Sequence, residues 1–343
     1  MSAWKGRTQA RAACGMVALA LAAIGTVRPA TALDQVRFAS TRSLAGAPYL
    51  IADAKGYFRA EGLDAKHILF DAAGPITVAV ASGDADIGAT GLSGAFFNLA
   101  GRGQLRIIAG YVTDSAGFPG IAYVASLRAW DADLKSLKDL GNHSVAVTQV
   151  GTGLEFSVAL LAEKFRFDIK SVRILPLQSY PNELSAATGG NVDVAVVPTN
   201  YAVPAVASGN VKFLGNLGDV VSIQTGEMFV SAKTADARGD LIQRFLRAFR
   251  RGAQDYRDAF IGPDGKPSLG PTAAATISLL AKAADESEAQ VKQDLNYIDA
   301  EARVNVADVL RQAAWYKAQG MIKGEVDGNA VIDRRYALTF PER

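Results

Sequence analysis

Gly151-Thr152-Gly153 stands where a β-branched run gives way to an apolar stretch from Leu154 to Phe165 that reads as a helix. Glycines and a hydroxyl at a helix start leave N–H groups and the positive end of the helix dipole free to meet an anion, and Thr152 adds a donor. This is no dinucleotide fingerprint, because Phe156 takes the place of the third glycine. Gly91 and Ser93 offer the same arrangement more weakly. Arg42, a lone cation in an uncharged loop, suits a bidentate hydrogen bond to a carboxylate or sulfonate. Tyr49, Tyr180 and Tyr201 are placed to clamp an apolar or aromatic body. Thr199 and Asn200 add polar groups, and Glu227 suits either an amine or the ordering of nearby chain. Each has a plainer reading: a strand-to-helix turn, a surface arginine, packing tyrosines.

Catalytic sets are hard to assemble. The only histidines are His67 and His143, each at the start of a different strand, so no two-histidine metal site or Ser-His-Asp set emerges. No Gly-x-x-x-x-Gly-Lys-Ser/Thr loop occurs. Asp86 and Asp193 look like paired carboxylates, yet both begin strands, away from the carboxyl ends where ligands bind. A structural role at the turn suits them better.

The elements that position these residues come twice. Gly83-Asp84-Ala85-Asp86-Ile87-Gly88-Ala89 returns as Gly190-Asn191-Val192-Asp193-Val194-Ala195-Val196, each behind an Ala/Val-rich helix. Val36 lies 50 residues before Asp86, and Val145 lies 48 before Asp193. The pattern predicts two α/β lobes with parallel sheets, their strands at 36–40, 67–70, 86–89 and 105–111, then 144–148, 172–177, 192–197 and 211–214. Two extended runs, 120–125 and 228–232, fit neither set and suit the connections between lobes. Helices are expected at 48–60, 241–260, 272–284, 288–298 and 306–319. In such sheets a ligand sits beyond the strands' carboxyl ends, so the inward loops are 41–43, 73–75, 90–93, 149–153, 180–181 and 198–201.

The first 32 residues read as a secretory signal: Lys5, Arg7 and Arg11, an apolar run from Met16 to Ile24, and a small-x-small site at Ala30-Thr31-Ala32. The run is shorter than the roughly 20 residues of a membrane span. Cys14, the one cysteine, precedes it, so cleavage removes all thiol chemistry. It also removes Lys5, Arg7, Arg11 and Arg28, leaving 32 basic against 34 acidic residues and a net charge of −2. Nothing indicates a nucleic-acid footprint. The expected segments are a signal at 1–32, lobe one at 33–123, lobe two at 124–227, and a return to lobe one with C-terminal helices at 228–343.

Pro48-Tyr49-Leu50-Ile51-Ala52 with Lys55-Gly56-Tyr57-Phe58-Arg59-Ala60-Glu61-Gly62-Leu63 resembles the opening of solute-binding proteins for nitrate/sulfonate/taurine-type ABC importers. Their superfamily also holds thiamine-pyrimidine precursor proteins. Ser82 to Gly88, Leu137-Lys138-Asp139-Leu140 and Gly190 to Val194 match as well, and the resemblance spans residues 34–320. It implies a type II periplasmic binding fold, α/β and two-lobed with two hinge strands, that traps a small-molecule ligand by closure and docks on a membrane permease. The expected protein is a periplasmic monomer without cofactor that captures a small organic anion. A pyrimidine-type heterocycle, or an exported enzyme or sensor subunit on the same fold, stays open. Enzymes of the superfamily include pyrimidine synthases with a cysteine-rich motif, which this chain lacks after cleavage.

Overall fold

The computed structural model describes residues 32–341; the signal segment, except for its last residue, lies outside them. Ten strands form two five-stranded sheets. Lobe one holds β1 (Asp34–Thr41), β2 (Leu63–Phe70), β3 (Ile87–Thr90), β4 (Leu105–Asp114) and, late in the chain, β10 (Ile223–Ser231). Lobe two holds β5 (Ile121–Ser126), β6 (Ser144–Val147), β7 (Arg173–Pro176), β8 (Val194–Pro198) and β9 (Val211–Asn216).

The sheets have the same plan. Lobe one runs β2-β1-β3-β10-β4 and lobe two runs β7-β6-β8-β5-β9. In each, four strands are parallel and the fifth, inserted between the last two, is antiparallel. The inserted strands β5 and β10 follow directly on the two passages between sheets. This is the two-lobed type II arrangement.

The repeated aspartates explain part of the likeness. Asp86 accepts from the Arg37 backbone N–H at 2.8 Å, and Asp193 accepts from the Ser144 N–H at 2.8 Å, each 49 residues earlier. Arg238 and Arg37 hold the first carboxylate, and Arg128 holds the second. The first pair ties the start of β3 to the middle of β1, and the second ties the start of β8 to the start of β6.

Three elements depart from the sequence reading. The helix expected at 48–60 is two, Ala47–Ala54 and Tyr57–Ala60, because Gly56 adopts a left-handed φ of 73° that breaks the first. The helix expected to reach residue 298 stops at Gln293, and Tyr297 instead pairs with Thr113 of β4. The run expected at 228–232 is the second half of a nine-residue strand.

The long helix Gly239–Phe260 buries Leu241, Ile242, Phe245, Leu246 and Phe249, spaced to share one face, against lobe one. The helix Val306–Ala318 lies over β10 and also reaches lobe two: Trp315 and Tyr316 pack on Phe156, and Arg311 pairs with Glu163 at 2.7 Å.

Candidate functional site

The lobes are closed on each other. Gly94 N–H donates to the Gly151 carbonyl at 2.9 Å, and Asn200 Nδ2 donates to the Arg42 carbonyl at 3.3 Å. Gly91, in the loop after β3, and Gly153, in the loop after β6, approach so closely that a Cβ on either would lie within 4 Å of the other's Cα. A Cβ at Gly74 would overlap the amide of Gln149 from the facing lobe.

Between the carboxyl ends of the two sheets this closure leaves a cavity of about 100 Å³. A single water needs roughly 10–15 Å³ by such a measure, so the space suits a ligand of several heavy atoms. Each of the six inward loops contributes to the wall, through Thr41 and Ser43, Ala73, Thr90 and Gly91, Thr152 and Gly153, Tyr180, and Pro198. The end of β4 adds Tyr111 and Asp114, β10 adds Thr225, and the segment after Gln293 adds Asp294 and Asn296.

Hydroxyls dominate this wall, and among the described residues no lysine, arginine, histidine or cysteine lines it. Gly153 and Leu154 are the first residues of the helix Gly153–Phe165, whose N-cap makes no side-chain bond, so their N–H groups remain available. Asp114 is already engaged. One oxygen accepts from the Ile121 N–H at 2.8 Å and the other from the Thr225 hydroxyl at 2.6 Å, so it ties together the residues that open β5 and β10. Burial raises its pKa. Burial also pushes Asp294 up to about 8, helped by nearby Glu286.

The residues singled out by sequence divide. Gly91, Thr152 and Gly153 line the cavity, although the Thr152 hydroxyl donates to the Gln149 carbonyl at 2.9 Å. Ser93 caps its own helix, accepting from Phe96 N–H, and Gly151 takes a left-handed φ of 75° to accept the bond across the lobes. Thr199 Oγ1 accepts from Gly120 N–H and donates to the Gly120 carbonyl, bracing the start of β5. Asn200 bridges the lobes.

Three of these residues sit elsewhere. Arg42 is exposed and does not line the cavity. Tyr49 is 2% exposed, stacked on Phe38 at 4.7 Å and packed on Phe58 and His67 in the lobe-one core. Its helix presents that face inward. Glu227 is fully buried with no hydrogen-bond partner for either oxygen. Burial and the neighbouring Asp308 of the helix Val306–Ala318 hold its carboxyl well above the usual range. Sequence reasoning missed Tyr111, Asp114, Asp294 and Asn296. The rule that ligands meet strand carboxyl ends reaches the first two once β4 is followed to its last residue. The others come from a stretch that reads as helix.

The family model described as NMT1/THI5 like matches residues 45–259. The chain belongs to the NMT1/THI5-like family. No curated protein sequence matches it. Among solved structures, this NMT1/THI5-like chain is similar to the alkanesulfonate-binding protein SsuA from Xanthomonas axonopodis pv. citri bound to MOPS. The identity is 16% and the TM-score 0.68, over 87% of this chain and 97% of that one. It is similar to the periplasmic nitrate-binding protein NrtA from Synechocystis PCC 6803 at 13% identity and TM-score 0.66, over 88% and 86%. The desulfurization enzyme DSZB shares the fold at 14% identity and TM-score 0.58, over 87% and 96%. At these identities the likeness shows the fold. Among the described residues of this family member, no helix is long and apolar enough to cross a membrane, and no cluster of His, Cys, Asp and Glu is arranged to hold a metal ion.

Proposed function

We propose that the chain is the solute-binding component of an ABC importer, exported by the signal at residues 1–32 and closing its lobes on a small molecule. The observation that carries this reading is the cavity between the lobes, walled by equivalent loops of the two repeats. A ligand touching both walls favours the closed state over the open one, which is the differential contact closure requires. A permease that distinguishes open from closed then receives only loaded protein. A wall without histidine, cysteine or lysine favours a binder over a catalyst.

Two ligand classes follow from the sequence. The organic-anion reading draws support from the free N–H groups of Gly153 and Leu154 at a helix start. Against it stand the absence of any cation in the wall and the presence of two carboxyl groups. A small uncharged or positively charged solute therefore fits the cavity better.

The test is a thermal-shift screen of the full-length protein against sulfonates, carboxylates, nitrate, pyrimidines and amines, with small-angle scattering on the same samples. At saturation each tenfold excess over Kd adds about 1.4 kcal/mol of stability. A stabilising compound that also shrinks the radius of gyration supports the proposal. Absence of both effects across the panel overturns it.

A further inference from the structure

We infer that Tyr111, Asp294 and Asn296 form a recognition subsite on the lobe-one wall for a protonated amine, an ammonium or amidinium group, so that the protein selects a cationic solute over a carboxylate or sulfonate. The inference rests on the reading that the cavity holds the transported solute.

The first observation is the Tyr111 hydroxyl. The residue is 4% exposed and lines the cavity; its oxygen faces the Ser40 hydroxyl but has no partner within ordinary hydrogen-bond distance among the described residues. Leaving a buried polar group unpaired is costly, and buried hydroxyls are normally satisfied. Its ring is fixed by Phe38 and Phe249, with centroids at 6.5 and 6.4 Å. The hydroxyl is therefore held at the wall with hydrogen-bonding capacity to spare. A ligand is the partner the geometry leaves for it.

The second observation is what stands beside it. The single 3-10 turn Leu44–Gly46 touches both Tyr111 and Asp294: a Cβ at Gly46 would lie 3.1 Å from the tyrosine oxygen, and Leu44 N–H donates to Asp294 Oδ2 at a long 3.4 Å. Asp294 is 1% exposed and lines the cavity. Unlike Asp114, which satisfies donors of both crossing strands, it meets only that long backbone bond and the side-chain amide of Asn296. Asn296 Nδ2 donates to the Asp294 carbonyl at 2.9 Å, which leaves its amide oxygen as an acceptor. The wall thus presents a carboxyl, an amide oxygen and a phenol in one place. An ammonium carries donors for all three and the charge that a desolvated carboxylate lacks. An anion would meet no cation here.

The titratable groups facing Asp294 are Glu286 and Tyr256. No basic side chain lines the cavity to compensate its charge. Held protonated up to about pH 8 by burial, Asp294 must release its proton to pair with an ammonium. Affinity for an amine then rises with pH toward 8, by up to tenfold per unit.

The test uses four probes with one carbon skeleton: butylamine, butanol, butyrate and butanesulfonate, each titrated against the full-length protein by thermal shift at pH 6, 7 and 8. Butylamine is expected to stabilise most, increasingly from pH 6 to 8. Asp294→Asn, close to isosteric, should weaken that binding at least tenfold, and Tyr111→Phe several-fold. Preferential stabilisation by butyrate or butanesulfonate, stabilisation by none of the four, or unchanged amine binding in Asp294→Asn overturns the subsite. A compound of another class that shrinks the radius of gyration when butylamine does not would remove the subsite and leave the binding-protein reading standing.

Discussion

Thr225 donates its hydroxyl proton to Asp114 at 2.6 Å, and this bond joins the end of β4 to the strand on which the chain returns to lobe one. The same carboxyl accepts from Ile121, where the chain has just entered lobe two. One buried side chain thus holds both crossings and forms part of the cavity wall. Asp114→Ala would leave the half-buried Ile121 N–H and Thr225 hydroxyl without their acceptor. At about 1–3 kcal/mol for each such loss, a loss near 3 kcal/mol is expected in urea unfolding. A change below about 0.5 kcal/mol would deny the latch.

Gly74, at the second position of the helix Ala73–Ser82, lies against the amide end of Gln149 from the other lobe, so a larger side chain there must push that amide aside for the lobes to close. Gly74→Val should leave the melting temperature of the unliganded protein nearly unchanged while holding the lobes apart. Small-angle scattering should show no compaction with any ligand that compacts the unmodified protein. Normal compaction would show that Gln149 swings aside freely.

Burial of carboxyl groups makes stability depend on pH. Burial raises Glu183 to about 9 and Asp294 to about 8, and it holds Glu227 well above the ordinary range. Between the unfolded carboxylate values near 4 and these folded values, the native chain keeps protons the unfolded chain has released. The stabilising contribution is fully present below about pH 4 and is lost as pH rises toward 8 or 9, by up to about 1.4 kcal/mol per unit for each group. Melting temperatures should therefore be higher at pH 5.5 than at pH 8, and Glu183→Gln should flatten that slope. A melting temperature that rises over this interval would contradict the assignment.

Arg42 and Glu227 lie outside the cavity wall, the first in solvent and the second beneath the helix Val306–Ala318. Arg42→Ala and Glu227→Gln should each leave ligand affinity within about twofold, measured by calorimetry with any ligand the screen finds. A tenfold loss in Arg42→Ala would restore the anion site that the sequence suggests.

The architecture was legible because it is written twice. Asp86 and Asp193 mark equivalent strand starts, and their shared 49-residue reach to Arg37 and Ser144 is the bond that preserves the spacing. The loops of the site followed from strand polarity alone. The side chains were harder. A helix shows from sequence which residues are apolar, but not whether Tyr49 turns toward a cleft or toward Phe38. Asp294 and Asn296 were invisible for a different reason: Asp294 lies 180 residues beyond Asp114, and only the tertiary fold puts them in one wall. Arg42 was drawn in by chemistry without geometry, since a loop that faces the cleft still sends some side chains to water.

β10 sits between β3 and β4, yet more than a hundred residues separate it from the end of β4, and all five strands of lobe two fall inside that interval. A chain delivered from its N-terminus therefore completes the second sheet while the first still lacks an inner strand. Until residue 231 emerges, β3 and β4 present unpaired edges, the state in which newly made β-structure is most open to wrong partners. Synthesis order makes lobe two the template and lobe one the late assembly, so damage to β10 should surface as failed maturation before it surfaces as failed binding.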